Sequence, residues 1–141
     1  MGRQFQSNTV AERAARDIDR KREQERRHML QTAQRESEEL AIALVQKLLD
    51  RHIIETTSER ALREQFAHLL KNLSNMEEFD INYKTAPLRG LVNDPNFISL
   101  YITQYIIEDL INHPKVQDIY GDDSDIYHAV DAVMGKLRPQ A

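Results

Sequence analysis

The chain contains no cysteine and no tryptophan, and only four glycines and four prolines in 141 residues. Without cysteine there is no disulfide framework, no thiolate zinc or iron–sulfur centre and no cysteine nucleophile. The glycines, Gly2, Gly90, Gly121 and Gly135, stand isolated, so there is no Gly-rich phosphate loop and no Gly-flanked serine elbow. So few turn formers argue against an all-β sandwich or barrel. Long apolar runs are missing too. The first thirty residues hold hardly any aliphatics, whereas a secretory signal needs an apolar run of roughly 7–15 residues. The most apolar stretch, Phe97 to Ile111, falls short of the roughly 20 residues that span a bilayer, and it runs into Glu108 and Asp109. The expectation is a single cytoplasmic domain that does not engage a membrane.

What the sequence does have is charge: 19 basic against 23 acidic side chains, a net of -4. The distribution is uneven. Residues 1–30 hold 8 basic and 5 acidic groups (net +3), residues 31–71 hold 6 and 7 (net -1), and residues 72–141 hold 5 and 11 (net -6). A basic front and an acidic back suit a nucleic-acid arm or two surfaces for two partners.

Residues 1–8 lack periodicity and read as a tail. No glycine or proline occurs between Arg3 and Pro87, and one long helix is expected from about residue 9 to about 51. From Ala11 to Arg27 it offers only Ala11, Ala14, Ala15 and Ile18 as apolar residues. Glu12–Arg16, Asp17–Lys21 and Glu23–Arg27 are i,i+4 pairs in the better orientation, each contributing a few tenths of a kcal/mol. From Met29 a helical stripe begins: Leu30, Ala33, Leu40, Ala41, Leu44, Val45, Leu48 and Leu49. The helix should therefore project as a charged stalk or coiled-coil arm and then join a core, placing an arm at 1–28 and a compact domain at 29–141.

Ile53 and Ile54 should fold back on the core, and Thr56 with Glu59 reads as a capping box. A second helix is expected over about 57–73, bearing Leu62, Phe66, Leu69, Leu70 and Leu73. Phe79, Ile81 and Tyr83 alternate with polar residues at strand period. A lone strand is not stable, so the favoured reading is an extended segment packed on helices. One short helical turn is expected between Pro87 and Val92. Asp94-Pro95 reads as the cap and first position of a helix over about 95–112. That helix is apolar on nearly every side and so is central or crosses an oligomer contact. Lys115 to Gly121 reads as a connector with Val116, Ile119 and Tyr120 turned inward. The last helix, about 124–137, opens on Asp122, Asp123, Ser124 and Asp125 and carries Ile126, Ala129, Val130, Val133 and Leu137. A faint echo links two stretches: a helix, a histidine (His52 or His113), β-branched residues, then a capped helix. The spacings differ, and the echo reads as shared helix–connector–helix grammar. The fold class expected is all-α, a small bundle of about four helices with a long charged N-terminal helix.

Arg13, Arg16, Arg20 and Arg27 recur at spacings of 3, 4 and 7 and share one helix face, flanked by Lys21, Arg22 and Arg26. Guanidinium forks bind phosphates and carboxylates bidentately. Interleaved acids and an acidic chain overall favour a solvated or protein-binding arm over a nucleic-acid groove binder. Asp125, His128 and Asp131 have i,i+3 spacing that could serve a metal, and Glu64–His68 is the other close acid–histidine pair, but a second matching set is lacking. No metal, cofactor or catalytic residue is therefore assigned. Asp118, Asp122, Asp123 and Asp125 lack the ligand alternation of a calcium loop and suit a helix N-terminus or an acidic docking surface. Tyr101 and Tyr105, neighbours on one helix, are candidate contact residues. The expected function is a non-enzymatic interaction protein, an adaptor, assembly subunit or regulator, with a protein partner or a second copy. Its partner-binding residues would be Arg13, Arg16, Arg20, Arg27, Tyr101, Tyr105, Asp122 and Asp123. The alternative is a nucleic-acid-binding module using the basic helix.

Overall fold

The computed structural model describes residues 9–73 and 78–135. The expected tail at residues 1–8 and the end of the last expected helix at Leu137 lie outside that description. The described residues are mostly helical, with six α-helices and one two-stranded sheet. The helical class matches the sequence reading; a bundle of about four helices does not, because the long N-terminal helix is interrupted at residue 36, residues 78–85 form a further helix, and two connecting segments pair as strands.

Helix α1 spans Thr9–Arg35 and α2 spans Ser37–Asp50. They replace the single helix expected to residue 51. The interruption is one residue, Glu36, at φ -102 and ψ 26. The backbone bonds from Glu36 to Thr32 and from Leu40 to Glu36 persist across it. Thr32 lies one turn upstream and bonds its hydroxyl back to the His28 carbonyl at 2.8 Å, a habit of Thr that bends helices. The Gln34 amide donates to the Leu73 carbonyl at 2.6 Å, tying the end of α1 to the residues after α3.

After α2, His52 adopts φ 56, a left-handed turn that delivers Ile53 and Ile54 into the core, as expected. Residues Ile54–Thr56 form strand β1. It pairs antiparallel with β2, Val116–Ile119, in the register Ile54 to Ile119, Glu55 to Asp118 and Thr56 to Val116, with a bulge between the last two pairs. The connector over Lys115 to Gly121 is thus a strand, and Tyr120 points outward rather than inward. A two-stranded ribbon is marginal alone; this one lies on the core through Ile53, Ile54, Val116 and Ile119. Gly121 closes it. A Cβ there would lie 2.8 Å from the Ile53 Cγ2 and 3.1 Å from the Asp125 Cβ.

Because Thr56 belongs to the ribbon, it cannot cap the next helix. Its hydroxyl donates to the Lys115 carbonyl at 2.7 Å, and Ser58 caps α3, Glu59–Lys71, by accepting from the Ala61 N–H. Glu59 pairs with Arg63 at 2.9 Å instead of reaching back. Leu62, Phe66 and Leu70 form the buried face of α3.

The strand-like alternation at Phe79, Ile81 and Tyr83 is a helix, α4, Glu78–Thr85, followed by a 3-10 turn at Ala86–Leu88 holding Pro87. The buried set is Ile81, Thr85 and Leu88, a helical spacing of four and three, whereas Tyr83 faces solvent. Thr85 satisfies its buried hydroxyl on the Ile81 carbonyl at 2.7 Å.

Helix α5, Phe97–Asn112, starts two residues later than Asp94-Pro95 suggests. Asp94 is held at φ 52 and turns the chain, so Asn96 becomes the cap and accepts from the Ser99 N–H at 3.0 Å. As its all-round apolarity implies, α5 is central: it packs against α1, α3, α4, β2 and α6. Helix α6, Asp123–Met134, is capped by Asp122 in a reciprocal box with Asp125. The Ser99 hydroxyl donates to Asp131 at 2.7 Å and links α5 to α6.

The echo seen in the sequence now has a spatial counterpart. Helix–strand–helix occurs twice, as α2–β1–α3 and α5–β2–α6, and the two units are joined through the antiparallel ribbon and through α2 against α6. One continuous core runs from Met29 to Met134. A small satellite of Leu88, Leu100 and Tyr127 lies beneath the segment after α4.

Candidate interaction arm and the cleft at its root

Every residue of α1 from 10 to 25 is exposed; the Arg26 side chain is the first to be covered, and full burial begins at Met29 and Leu30. At 1.5 Å per residue the 27-residue helix is about 40 Å long, and more than half of its residues are exposed. The change from arm to core falls within an unbroken helix.

Arg13, Arg16, Arg20 and Arg27 are all exposed on this helix. Of the three expected ion pairs, Glu12–Arg16 forms at 3.9 Å and Glu23–Arg27 at 3.0 Å; Asp17–Lys21 does not form. Arg13 and Arg20 have no carboxylate partner among the described residues. The exposed apolar residues Val10 (79% exposed) and Ile18 (53% exposed) lie on the same face with Ala14 between them, a narrow stripe at spacings of four.

The other expected contact residues scatter. Tyr101 is completely buried, so it is core lining and presents nothing to a partner. Its ring meets Tyr105 edge-on at 5.0 Å. Tyr105 is half-buried. Lys84 Nζ donates to its hydroxyl at 2.9 Å and sits 4.0 Å from its ring centre. Burial alone would raise this phenol, but the hydrogen bonds from Lys84 and Tyr101 outweigh it and hold Tyr105 below the ordinary value of 10.0. Asp122 and Asp123 are exposed at the start of α6, where Asp122 is committed to the capping box and negative charge suits the helix dipole.

The residues weighed for a metal are also dispersed. Asp125 belongs to the capping box, His128 is exposed beside Tyr127, Asp131 accepts from Ser99, and Glu64 pairs with Arg60 at 3.1 Å.

Two further features escaped the sequence reading. A cleft of about 310 Å³ lies between α3 and α5, lined by Gln65, His68, Leu69, Tyr105, Glu108 and Asp109 among others. Burial raises the Asp109 carboxyl above its usual 3.8, against the pull of His113 and a hydrogen bond with Gln65. The second is a larger cleft of about 440 Å³ at the root of the arm. There Arg22 and Arg26 of α1 face Arg89 and the start of α5. The Arg26 side chain is only 10% exposed. The signal was present in the sequence: Arg26 precedes Met29 and Leu30 by three and four residues, which puts it on the buried face of α1.

Among the described residues, no helix is long and apolar enough to cross a membrane. No protein-family model matches the chain, and no curated protein or solved structure matches it either.

Proposed function

We propose that the protein is a non-enzymatic, cytoplasmic helical interaction protein, an adaptor, assembly subunit or regulator, that engages its partner with the exposed half of α1. The observation that carries this reading is the sixteen-residue exposed stretch at 10–25, continuous with a root that is part of the core. A polar helix held away from its own domain is a stalk or an arm for a partner. Val10, Ala14 and Ile18 give that partner, another helix or a second copy pairing as a coiled coil, a narrow apolar seam. The flanking charges choose orientation and speed encounter. The exposed aspartates at the start of α6 offer a second docking surface of opposite sign.

The test is size-exclusion chromatography with light scattering, and quantitative affinity capture from the native cell, for the wild type and an Ile18→Glu variant. The reading requires a complex, with itself or with another protein, that Ile18→Glu weakens. A strict monomer that captures no partner, or a complex indifferent to Ile18→Glu, would count against it.

A second reading, nucleic-acid binding by the arm, is favoured by one observation: Arg13 and Arg20 are exposed and have no carboxylate partner among the described residues. Such binding would weaken steeply with salt and disappear in an Arg13→Gln/Arg20→Gln variant. Fluorescence anisotropy with duplex and single-stranded probes at low salt decides it.

A further inference from the structure

The cleft at the root of the arm is built from chemistry that the arm reading does not use. Arg22 and Arg26 enter it from α1, Arg89 from the segment before α5, and the first turn of α5 from the opposite wall. Arg26 is its centre. The side chain is nine-tenths buried, and its Nε is buried with no hydrogen-bond partner. The nearest carboxylate, Glu23, reaches only its terminal nitrogen, at 3.9 Å. A guanidinium keeps its charge at any physiological pH. Unlike a buried lysine, it cannot escape desolvation by losing its proton, so a buried arginine calls for an acceptor.

The surroundings are arranged to share that acceptor. The Arg89 guanidinium lies 5.3 Å from the centre of the Phe97 ring, a stacking contact that fixes it without using its N–H donors. In the first turn of α5, Asn96 Oδ1 takes the Ser99 N–H and the Asn96 carbonyl takes that of Leu100. Phe97 and Ile98 also line the cleft; as first-turn residues their N–H groups have no intrahelical acceptor, and the dipole of a sixteen-residue helix favours an anion at this end.

Glu25 and Asp94 also line the cavity, and they narrow the choice of ligand. Three guanidiniums against two carboxylates leave a small positive balance, poorly matched to a long polyanion. The carboxylates instead suit hydroxyl donors on the same ligand as the anion. The volume, about 440 Å³, falls in the range of sites for small molecules, roughly 300–1,000 Å³.

We propose that the cleft between α1 and the N-terminus of α5 binds a small phosphate monoester bearing hydroxyl groups, of sugar-phosphate size, with Arg26 and Arg89 on the phosphate and Glu25 and Asp94 on the hydroxyls. This site shares Arg22 and Glu25 with the exposed stretch but not the apolar seam of Val10, Ala14 and Ile18, so Ile18→Glu tests the arm reading separately.

Calorimetric titration of the full chain at matched ionic strength tests it, with ribose 5-phosphate, ribose, inorganic phosphate and a short oligonucleotide as probes. Ribose 5-phosphate should bind saturably and more tightly than inorganic phosphate, and ribose should not bind. Arg26→Gln should weaken ribose 5-phosphate at least about tenfold, the scale for losing one hydrogen bond to a charged group. Arg89→Gln, at a less buried position, should do the same if Arg26→Gln compromises folding. Arg13→Gln/Arg20→Gln, outside the cleft, should leave binding unchanged. Absence of saturable binding, or binding that survives both Arg26→Gln and Arg89→Gln, would overturn the proposal. So would tighter binding of the oligonucleotide that is lost in Arg13→Gln/Arg20→Gln and kept in Arg26→Gln, because the phosphates would then be read by the arm.

Discussion

The two ends of α1 belong to one helix and obey different physics. From Met29 onward the helix is held by tertiary burial: Met29, Leu30 and Ala33 join a core that extends to α6. From residue 10 to 25 it is held only by backbone bonds and a few exposed ion pairs, such as Glu23–Arg27 at 3.0 Å. Isolated helices of this length are marginal in water. The arm is therefore templated by its root, and in the reading proposed above a partner would stabilise it. Helicity alone does not separate the part of a helix that belongs to the core from the part that does not; the loss of burial along α1 does.

Substitutions can test this contrast, and the largest effects belong to the root and the core it joins. Leu30→Ala should cost about 2–5 kcal/mol of global stability, read from denaturant midpoints, whereas Ile18→Ala on the exposed stretch should cost no more than about 0.5 kcal/mol. Equal losses at the two positions would erase the distinction. Next is the closure of the ribbon. Gly121→Ala places a Cβ against Ile53 and Asp125, and overpacking of this kind costs about 1–3 kcal/mol. Ser58→Ala removes the cap on α3 and should cost about 1 kcal/mol, while Glu59→Gln, without the expected capping box, should cost only the few tenths of an exposed pair.

The smallest effect is a pH dependence. The folded Asp109 carboxyl binds its proton more tightly than an unperturbed aspartate, because burial disfavours the charge. Ionising it therefore costs stability. The penalty is absent in acid, grows as pH climbs above 3.8, and is complete once pH passes the raised folded value. Asp109→Asn should make the protein slightly more stable at neutral pH, with the gain vanishing below pH 3.8. A melting temperature lowered at neutral pH by Asp109→Asn would show that its contacts with Gln65 and His113 outweigh the burial.

Much of the fold was legible because burial imprints a period on helices of several turns. Leu40, Leu44 and Leu48 of α2, Leu62, Phe66 and Leu70 of α3, and Ile126, Val130 and Val133 of α6 are all buried where the stripe placed them. Helix α4 was misread because eight residues complete barely two turns, and within so short a window Ile81 between polar neighbours fits either period. The ribbon escaped because pairing Ile54 with Ile119 is a property of two segments 65 residues apart, invisible to any local pattern. The β-branched residues after His52 and His113 marked its strands without showing that they meet. At α5 both Asp94 and Asn96 are good capping residues, and the left-handed turn at Asp94 decided between them. As for the candidate site, the charge asymmetry found the arm. It could not separate Arg26 from six other cations, because only the packing of Met29 and Leu30 reveals which side of the helix is covered.

The most direct test is amide hydrogen exchange on the free chain, at a concentration where light scattering shows a monomer. Amides at 29–35 should be protected to nearly the global stability, and those at 10–25 should exchange through local fraying at much lower free energy. Uniform, core-like protection from residue 10 onward in the monomer would mean that the arm is packed on its own domain, and would contradict its role as an unpartnered docking helix.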